Sequence, residues 1–137
     1  QDAEGNIRFY DEYKAVLDLD ANFYLDTIKT VFQDYALPNG TWKVAGELVK
    51  PQDIKKTALL TVEGELDDIS GSGQTRSAHA LCAGIPKDSK DHYEVAGAGH
   101  YGIFAGRRWR DKVYPKIKSF IREHQRGKKS SARTKAA

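Results

Sequence analysis

The segment TALLTV, residues 57–62, is the strongest strand signal in this chain and decides its fold class. Its apolar residues follow one another instead of alternating with polar ones, which is typical of a strand buried on both faces of a parallel sheet. A second strand is predicted at residues 92–95, and a helix at residues 74–82, closed by Gly84 and Pro86, separates the two. The order strand, helix, strand predicts a βαβ unit and therefore an α/β fold.

The segments on either side of this unit predict helices and one hairpin. Residues 9–19 predict a short irregular helix, and Asp20 is a suitable N-cap for a second helix. One face of that second helix carries Tyr24, Ile28, Val31 and Tyr35. The alternating segment 41–50, TWKVAGELVK, predicts a hairpin, and residues 107–124 predict a final helix that starts anew or kinks at Pro115.

The composition is that of a soluble globular protein with room for one domain. The chain has 137 residues, 39% of them hydrophobic and 30% charged, and no apolar run approaches the roughly 18–20 residues needed to cross a bilayer. Its one cysteine, Cys82, cannot form an internal disulfide, so we expect a reduced, cytoplasmic setting. The chain contains no methionine and starts QDAEGN, so we expect it to be a fragment of a longer protein.

A basic segment closes the chain. Residues 126–137, RGKKSSARTKAA, carry five Lys and Arg residues and no acid, although the net charge of the whole chain is only +3. This segment has too few apolar groups to offset the conformational entropy that it would lose on ordering. We therefore predict one domain over residues 1–125 and a disordered basic tail over residues 126–137. Such a tail could contact nucleic acid or an anionic surface, but we interpret it as solvated and expect no nucleic-acid partner.

Side chains that carry chemistry follow both predicted strands. The loop 64–67, GELD, comes after the first strand, and the loop 97–100, GAGH, comes after the second. The carboxyl ends of neighbouring parallel strands meet at one edge of a sheet, so we expect an acid and an imidazole side by side there. In such a pair the carboxylate fixes the imidazole tautomer, and the histidine serves as a general base. Acid before histidine is also the order of the last two members of an α/β-hydrolase triad.

Several carboxylates lie within range of the acid position. They are Glu63, Glu65, Asp67 and Asp68. The spacing Gly-x-x-Asp favours Asp67, and Asp68 is the alternative, with capping of the turn before Ser70 as its other role. The base candidate is His100, at the end of the GAGH loop.

A nucleophile in the expected pattern is missing from the sequence. The elbow G-x-S-x-G, or its cysteine variant, should precede the acid, but residues 1–66 contain neither Ser nor Cys. Neither Ser72 nor Cys82 has a glycine two residues away on both sides. We interpret Cys82 as a small buried apolar residue of the helix at residues 74–82.

Five segments of the chain carry a family resemblance. They are FYDEYKAVLDL (9–19), ANFYLDTIKTVFQDYALPNGTW (21–42), TALLTVEGELDDISGSGQTRSAH (57–79), GAGHYGIFAGRRWR (97–110) and VYPKIKSFI (113–121). With them the chain resembles the C-terminal region of the intracellular polyhydroxyalkanoate (poly-3-hydroxybutyrate) depolymerases over about residues 9–124. The portions TVEGELDDISG and GHYGIFAGRRWR are far more specific than a lone Gly-x-x-Asp or Gly-His.

The resemblance implies the C-terminal part of an α/β-hydrolase fold: the last parallel strands with their flanking helices, without the N-terminal sheet. It implies hydrolysis of the polymer's ester bonds by a Cys or Ser nucleophile, an acid and a histidine. The motif match assigns the acid to Asp67 and the base to His100. The basic tail lies outside the resemblance.

The same resemblance implies the partners of the chain. These are the polyester or hydroxybutyrate oligomers, with the storage-granule surface as a further contact in the cytoplasm. No cofactor and no metal is implied, and the four histidines of the chain lack zinc-ligand spacing. Two alternatives stay open: another carboxylic-ester hydrolase of the same fold, or an inactive C-terminal fragment that acts only in binding. Because the nucleophile is missing, the isolated chain is expected to be inactive.

Overall fold

The structure of the chain, a computed structural model, describes residues 3–15 and 18–133. Its helices and strands in chain order are α1 (Ala3–Lys14), α2 (Ala21–Thr27), β1 (Lys43–Val44), β2 (Glu47–Leu48), β3 (Leu59–Gly64), α3 (Ala78–Leu81), β4 (Lys90–Val95), α4 (Gly106–Arg108) and α5 (Tyr114–Arg133). The chain divides into two compact units, Gln1–Val49 and Lys50–Ala137.

Helices α1 and α2 belong to the first unit. The Asp20 carboxylate begins α2 by accepting hydrogen bonds from the amides of Asn22 and Phe23 at 2.9 and 3.1 Å, which confirms the predicted N-cap. The backbone then continues as the π-helical segment Ile28–Gln33. Helix α1 begins earlier than the helix predicted at residues 9–19, of which residues 16 and 17 lie outside the described part of the chain.

Strands β1 and β2 form the predicted hairpin. They pair antiparallel, with Val44 opposite Glu47. The two turn residues, Ala45 and Gly46, have φ angles of 50° and 84°. Positive φ at both central positions is what a type I′ turn requires, and such a turn matches the right-handed twist of the strands that it joins.

Strands β3 and β4 form the parallel pair of the second unit and confirm the predicted strand order. The register runs from Leu59 opposite Lys90 to Gly64 opposite Val95, so both strands end at the same edge. Within the described residues this sheet has two strands, and Leu60 and Val62 remain half-buried. Strand β3 is therefore less enclosed than its apolar run predicts, because β4 is its one neighbour in this part of the chain.

The helix between these strands is shorter than predicted. It was expected over residues 74–82, but α3 spans Ala78–Leu81 and the residues before it form turns. The amides of Gly73 and Thr75 bond to a carboxylate of β3 instead of to a helical ladder. At the other end, Cys82 leaves the helical conformation with φ −83° and ψ 50°, which closes the helix.

The core of the second unit lies under the loop that follows β4. Its buried members are Val95, Ala98, Ile103 and Val113. The half-buried side chains packed against them are Val62, Tyr93, Trp109 and Ile117. The core thus joins both strands to the final helical segment. Because Ala98 and Ile103 belong to it, the core also holds the loop that carries His100 in place.

The final helical segment changes from π-helix to α-helix next to Pro115. A π-helical turn, Trp109–Val113, separates α4 from α5, and the α-helical pattern resumes at Tyr114, one residue before Pro115, without a break in the helical backbone. Helix α5 continues to Arg133, into the segment predicted to be disordered, and residues 134–137 lie outside the described part. Lys, Arg and Ala favour helix strongly, so the backbone can extend the turns that precede it. The division at residue 125 stays a prediction.

Candidate active site

The loops that leave β3 and β4 lie against each other, as the strand order predicts. The amide of Glu65 donates to the carbonyl of Val95 at 3.2 Å, and the amide of Leu66 donates to the carbonyl of Ala98 at 2.9 Å. The Glu65 carboxylate accepts a further hydrogen bond from the amide of Gly97 at 2.7 Å. Three hydrogen bonds therefore hold the two loops together before the chain reaches Asp67 in one loop and His100 in the other.

Gly64 allows this close approach. A Cβ atom at Gly64 would lie 2.4 Å from the carbonyl oxygen of Ala98, closer than any side chain tolerates. The loop after β4 turns at Gly97, whose φ of +67° suits glycine. The glycines that open the GELD and GAGH motifs are thus both required by the structure. Gly64 allows the close contact with Ala98, and Gly97 allows the turn after β4.

Asp67 and His100 meet where the two loops end. His100 Nδ1 lies 2.9 Å from Asp67 Oδ2 and 3.2 Å from Oδ1. The amides of Ile69 and Ser70 donate to Asp67 Oδ1 at 2.9 and 2.7 Å. The carboxylate is therefore fixed by its own turn on one side and presents its other oxygen to the imidazole.

The two members of this pair differ in how far they are exposed to solvent. The Asp67 side chain is 1% exposed, and the His100 side chain is 29% exposed. The imidazole can reach a reacting group from solvent, and the carboxylate acts on such a group only through the ring. This is the division of roles between an orienting acid and a general base.

The surroundings keep Asp67 ionised. Burial raises the pKa of this carboxyl, but the hydrogen bonds from the Ser70 amide, from His100 and from the Ile69 amide outweigh burial, so the pKa lies below its ordinary value. An ionised carboxylate accepts a hydrogen bond from Nδ1–H of His100 and so favours the tautomer that leaves Nε2 free of hydrogen. That tautomer is the one able to take up a proton at Nε2.

Two aromatic side chains contact the imidazole. The rings of Tyr101 and Phe104 contact the His100 ring edge to face, with centroids 5.5 and 5.6 Å away. Leu66 and Ile69 flank Asp67 along the chain, and both side chains are largely exposed. The pair is therefore bordered by apolar surface suited to an apolar substrate.

The other carboxylates named from the sequence do not contact His100 through any hydrogen bond in the described residues. Glu65 is bonded to the Gly97 amide, Glu63 to the segment 73–75, and Asp68 is exposed. The turn before Ser70 is capped by Asp67 and not by Asp68, which corrects the role given to Asp68 as the alternative. One carboxylate performs both tasks because its two oxygens point in different directions.

The candidate nucleophiles of this sequence lie elsewhere. Ser72 Oγ donates to Glu94 Oε2 at 2.6 Å. Cys82 is half-buried at the end of α3, so it is less enclosed than the buried residue predicted from the sequence, and it is not part of an elbow. Among the described residues, no three His, Cys, Asp or Glu side chains come close enough to hold a metal ion.

The amides of Ile69 and Ser70 are parts of the candidate site that the sequence did not indicate. Their side chains give no signal, since the backbone makes the contact. The signal that would have found them is Asp followed by a short turn-forming segment, because an Asp side chain readily accepts hydrogen bonds from amides two and three residues ahead.

These observations define a mixed α/β protein with a buried carboxylate and an accessible imidazole joined at the edge of a parallel strand pair. A family model described as PHB de-polymerase C-terminus matches residues 1–125. The chain therefore belongs to this family, as its sequence segments indicated, and the membership supports a role in the degradation of PHB, poly-3-hydroxybutyrate. No curated protein and no solved structure matches the chain.

The helices in the described part of the chain do not have the character of membrane spans. None of them has both the length and the apolar composition that crossing a bilayer requires.

Proposed function

We propose that this chain provides the general base, His100, and its orienting acid, Asp67, for hydrolysis of the ester bonds of PHB in an α/β-hydrolase fold. The observation that carries the proposal is the 2.9 Å contact between His100 Nδ1 and the buried Asp67 carboxylate. Membership in the PHB depolymerase C-terminus family supports the choice of substrate class. In this proposal the enzyme works in the cytoplasm on the polymer of storage granules.

The proposed chemistry is acyl transfer through a covalent intermediate. His100 Nε2 removes the proton from a Ser or Cys nucleophile as that group attacks the ester carbonyl, and the imidazolium then protonates the departing alkoxide. In the second half, His100 takes a proton from water as the water attacks the acyl carbonyl, and the imidazolium then returns that proton to the Ser or Cys group as the free acid leaves. Asp67 accepts the hydrogen bond from Nδ1–H throughout and stabilises the imidazolium by its negative charge.

The nucleophile is proposed to come from a G-x-S-x-G or G-x-C-x-G elbow in the complete natural polypeptide. The 137-residue sequence contains no such pattern. Ser72 is engaged with Glu94, and Cys82 lies at the end of α3, which supports assigning the nucleophile to other sequence.

The apolar border of the site supports a polyester as substrate. Each PHB repeat carries one ester and one methyl group without charge, so the chain can lie on apolar side chains while one ester reaches the imidazole. The exposed side chains of Leu66, Ile69 and Phe104 provide such a surface beside the pair.

Hydrolysis assays with the complete natural polypeptide test this function. Acid release from 3-hydroxybutyrate oligomers is compared with release from simple short-chain esters, for the natural sequence and for Asp68→Asn, an exposed acid outside the pair. We expect faster hydrolysis of the oligomers and no effect of Asp68→Asn. Faster hydrolysis of the simple esters would favour another carboxylic-ester hydrolase of the same fold, and no hydrolysis of either would contradict the proposal.

A further inference from the structure

A second buried carboxylate, Glu63 on β3, has no part in the chemistry above. Glu63 is 1% exposed. Its Oε1 accepts a hydrogen bond from the Gly73 amide at 2.7 Å, and its Oε2 accepts from the amide and the hydroxyl of Thr75 at 3.1 and 2.8 Å. A side chain of β3 thus holds a segment of the loop ten and twelve residues further along the chain.

Glu63 is ionised despite its burial. Burial raises the pKa of this carboxyl, but the hydrogen bonds from Gly73 and Thr75 and the positive potential of nearby His92 outweigh it, so the pKa lies below the ordinary value. Ionised carboxylates form the stronger kind of hydrogen bond, so the bonds to the loop are charge-assisted.

Side chains of the strand pair and of α3 fix Glu63 from the other side. His92 Nε2 lies 3.3 Å from Glu63 Oε1. The hydroxyl of Thr61 lies 2.8 Å from His92 Nδ1 and 2.8 Å from His79 Nε2. Thr61 therefore joins the two imidazoles, and the ring of His92 makes the contact with Glu63. These bonds leave the carboxylate little freedom to move.

The loop between Asp67 and Thr75 depends on carboxylates for its order. Asp67 holds its near end through the amides at positions 69 and 70, and Glu63 holds its far end. Ser72 in its middle donates to Glu94 on β4. The loop has two glycines and no regular secondary structure, and Ile69 is 63% exposed, so burial of apolar surface contributes little to its position.

We propose that Glu63 is a positioning residue for the Asp67–His100 pair: it fixes residues 73–75 and, through the short loop, the two amides that aim the Asp67 carboxylate at His100. The inference rests on the proposed function for its catalytic consequence. Its structural part, the coupling of Glu63 to the imidazole, can be measured without any substrate.

The variant Glu63→Gln tests the coupling. Both carboxylate oxygens accept hydrogen bonds, so an amide must present its NH₂ group to one set of donors and lose that contact. In NMR spectra of the 137-residue chain, we expect the Nδ1 proton of His100 to exchange with water at least about tenfold faster than in the natural sequence. In the complete polypeptide we expect kcat to fall by about 10- to 100-fold with little change in KM.

Asp91→Asn is the matched control. It also removes a carboxylate charge from the strand pair, where Asp91 pairs with Lys116 at 2.6 Å, but it does not touch the loop. We expect it to leave the His100 signals unchanged. If Glu63→Gln fails to fold, Thr75→Val takes its place, because this variant removes only the hydroxyl donor to Glu63. The same exchange rate of the His100 Nδ1 proton is then measured.

A folded Glu63→Gln or Thr75→Val variant with the His100 signals of the natural sequence would overturn the inference. Equal changes in Asp91→Asn would also overturn it, because they would show a general loss of stability. Failure of the proposed function looks different: the NMR coupling would be present, and hydrolysis would not depend on His100.

Discussion

Replacing Asp67 by Asn should reverse the tautomer of His100 without disturbing the turn. The amides of Ile69 and Ser70 both point at Oδ1. An Asn side chain must therefore place its carbonyl oxygen there, because its NH₂ group would face two other donors. The NH₂ group then occupies the position of Oδ2, 2.9 Å from His100 Nδ1.

At that position an amide donates instead of accepting. His100 must offer a bare Nδ1 to it and carry its proton on Nε2, the tautomer that cannot take a proton from a nucleophile. In a serine protease triad, the same change of acid to amide lowers kcat by about 10⁴-fold through the wrong tautomer. We expect a loss of about 10⁴-fold in the hydrolysis of 3-hydroxybutyrate oligomers by the complete polypeptide.

Long-range ¹H–¹⁵N NMR of the histidine side chains measures the tautomer directly. We expect the Nδ1–H pattern for His100 in the natural sequence and the Nε2–H pattern in Asp67→Asn. Asp68→Asn is the matched control, because Asp68 is the exposed neighbour and should leave His100 unchanged. Persistence of the Nδ1–H tautomer in folded Asp67→Asn would refute the reasoning.

Two further predictions concern the loops and the pH dependence of stability. Gly64→Ala should lower the free energy of unfolding by about 1–3 kcal/mol, because the added Cβ would lie 2.4 Å from the carbonyl oxygen of Ala98. Gly71→Ala is the control and should change this free energy little, because a Cβ there meets no atom within 4 Å. Equal losses for the two variants in urea unfolding would contradict this prediction. The melting temperature should fall as the pH drops below 6.5, because burial and then the charges of His92 and other bases hold the pKa of His79 below that ordinary value, so the unfolded chain binds the proton first. A second loss should begin below pH 4.5, where Glu63, whose pKa is also lowered, starts to be protonated in the unfolded chain. A melting temperature that rises between pH 6.5 and pH 4.5 would contradict the His79 assignment.

The strand pair and the pairing of Asp67 with His100 were predictable from the sequence. The apolar run of β3 and the two glycine-led loops indicated the strand order and the edge where Asp67 and His100 meet, because the ends of parallel strands converge by geometry. The N-cap at Asp20 and the Ala45-Gly46 turn were predictable for a local reason, since each depends on residues within one turn of the chain.

The short α3 and the Glu63 network were not predictable in the same way. The segment 74–82 has helix-forming residues, but two of the amides nearby are taken by a carboxylate more than nine residues earlier in the chain. A contact between a strand and a distant loop overrides local helix propensity, and no local pattern reports it. For the same reason, His79, His92 and Thr61 give no sign in the sequence that they share one hydrogen-bonded chain.

The central claim is that His100 is the base for ester hydrolysis, and one comparison tests it most directly. The rate of 3-hydroxybutyrate oligomer hydrolysis by the complete polypeptide is measured for His100→Ala and for His124→Ala, whose imidazole bonds to the Phe120 carbonyl within α5. The account predicts a loss of about 10³-fold or more for His100→Ala and a rate near that of the natural sequence for His124→Ala. Hydrolysis by His100→Ala at the rate of the natural sequence would contradict the account.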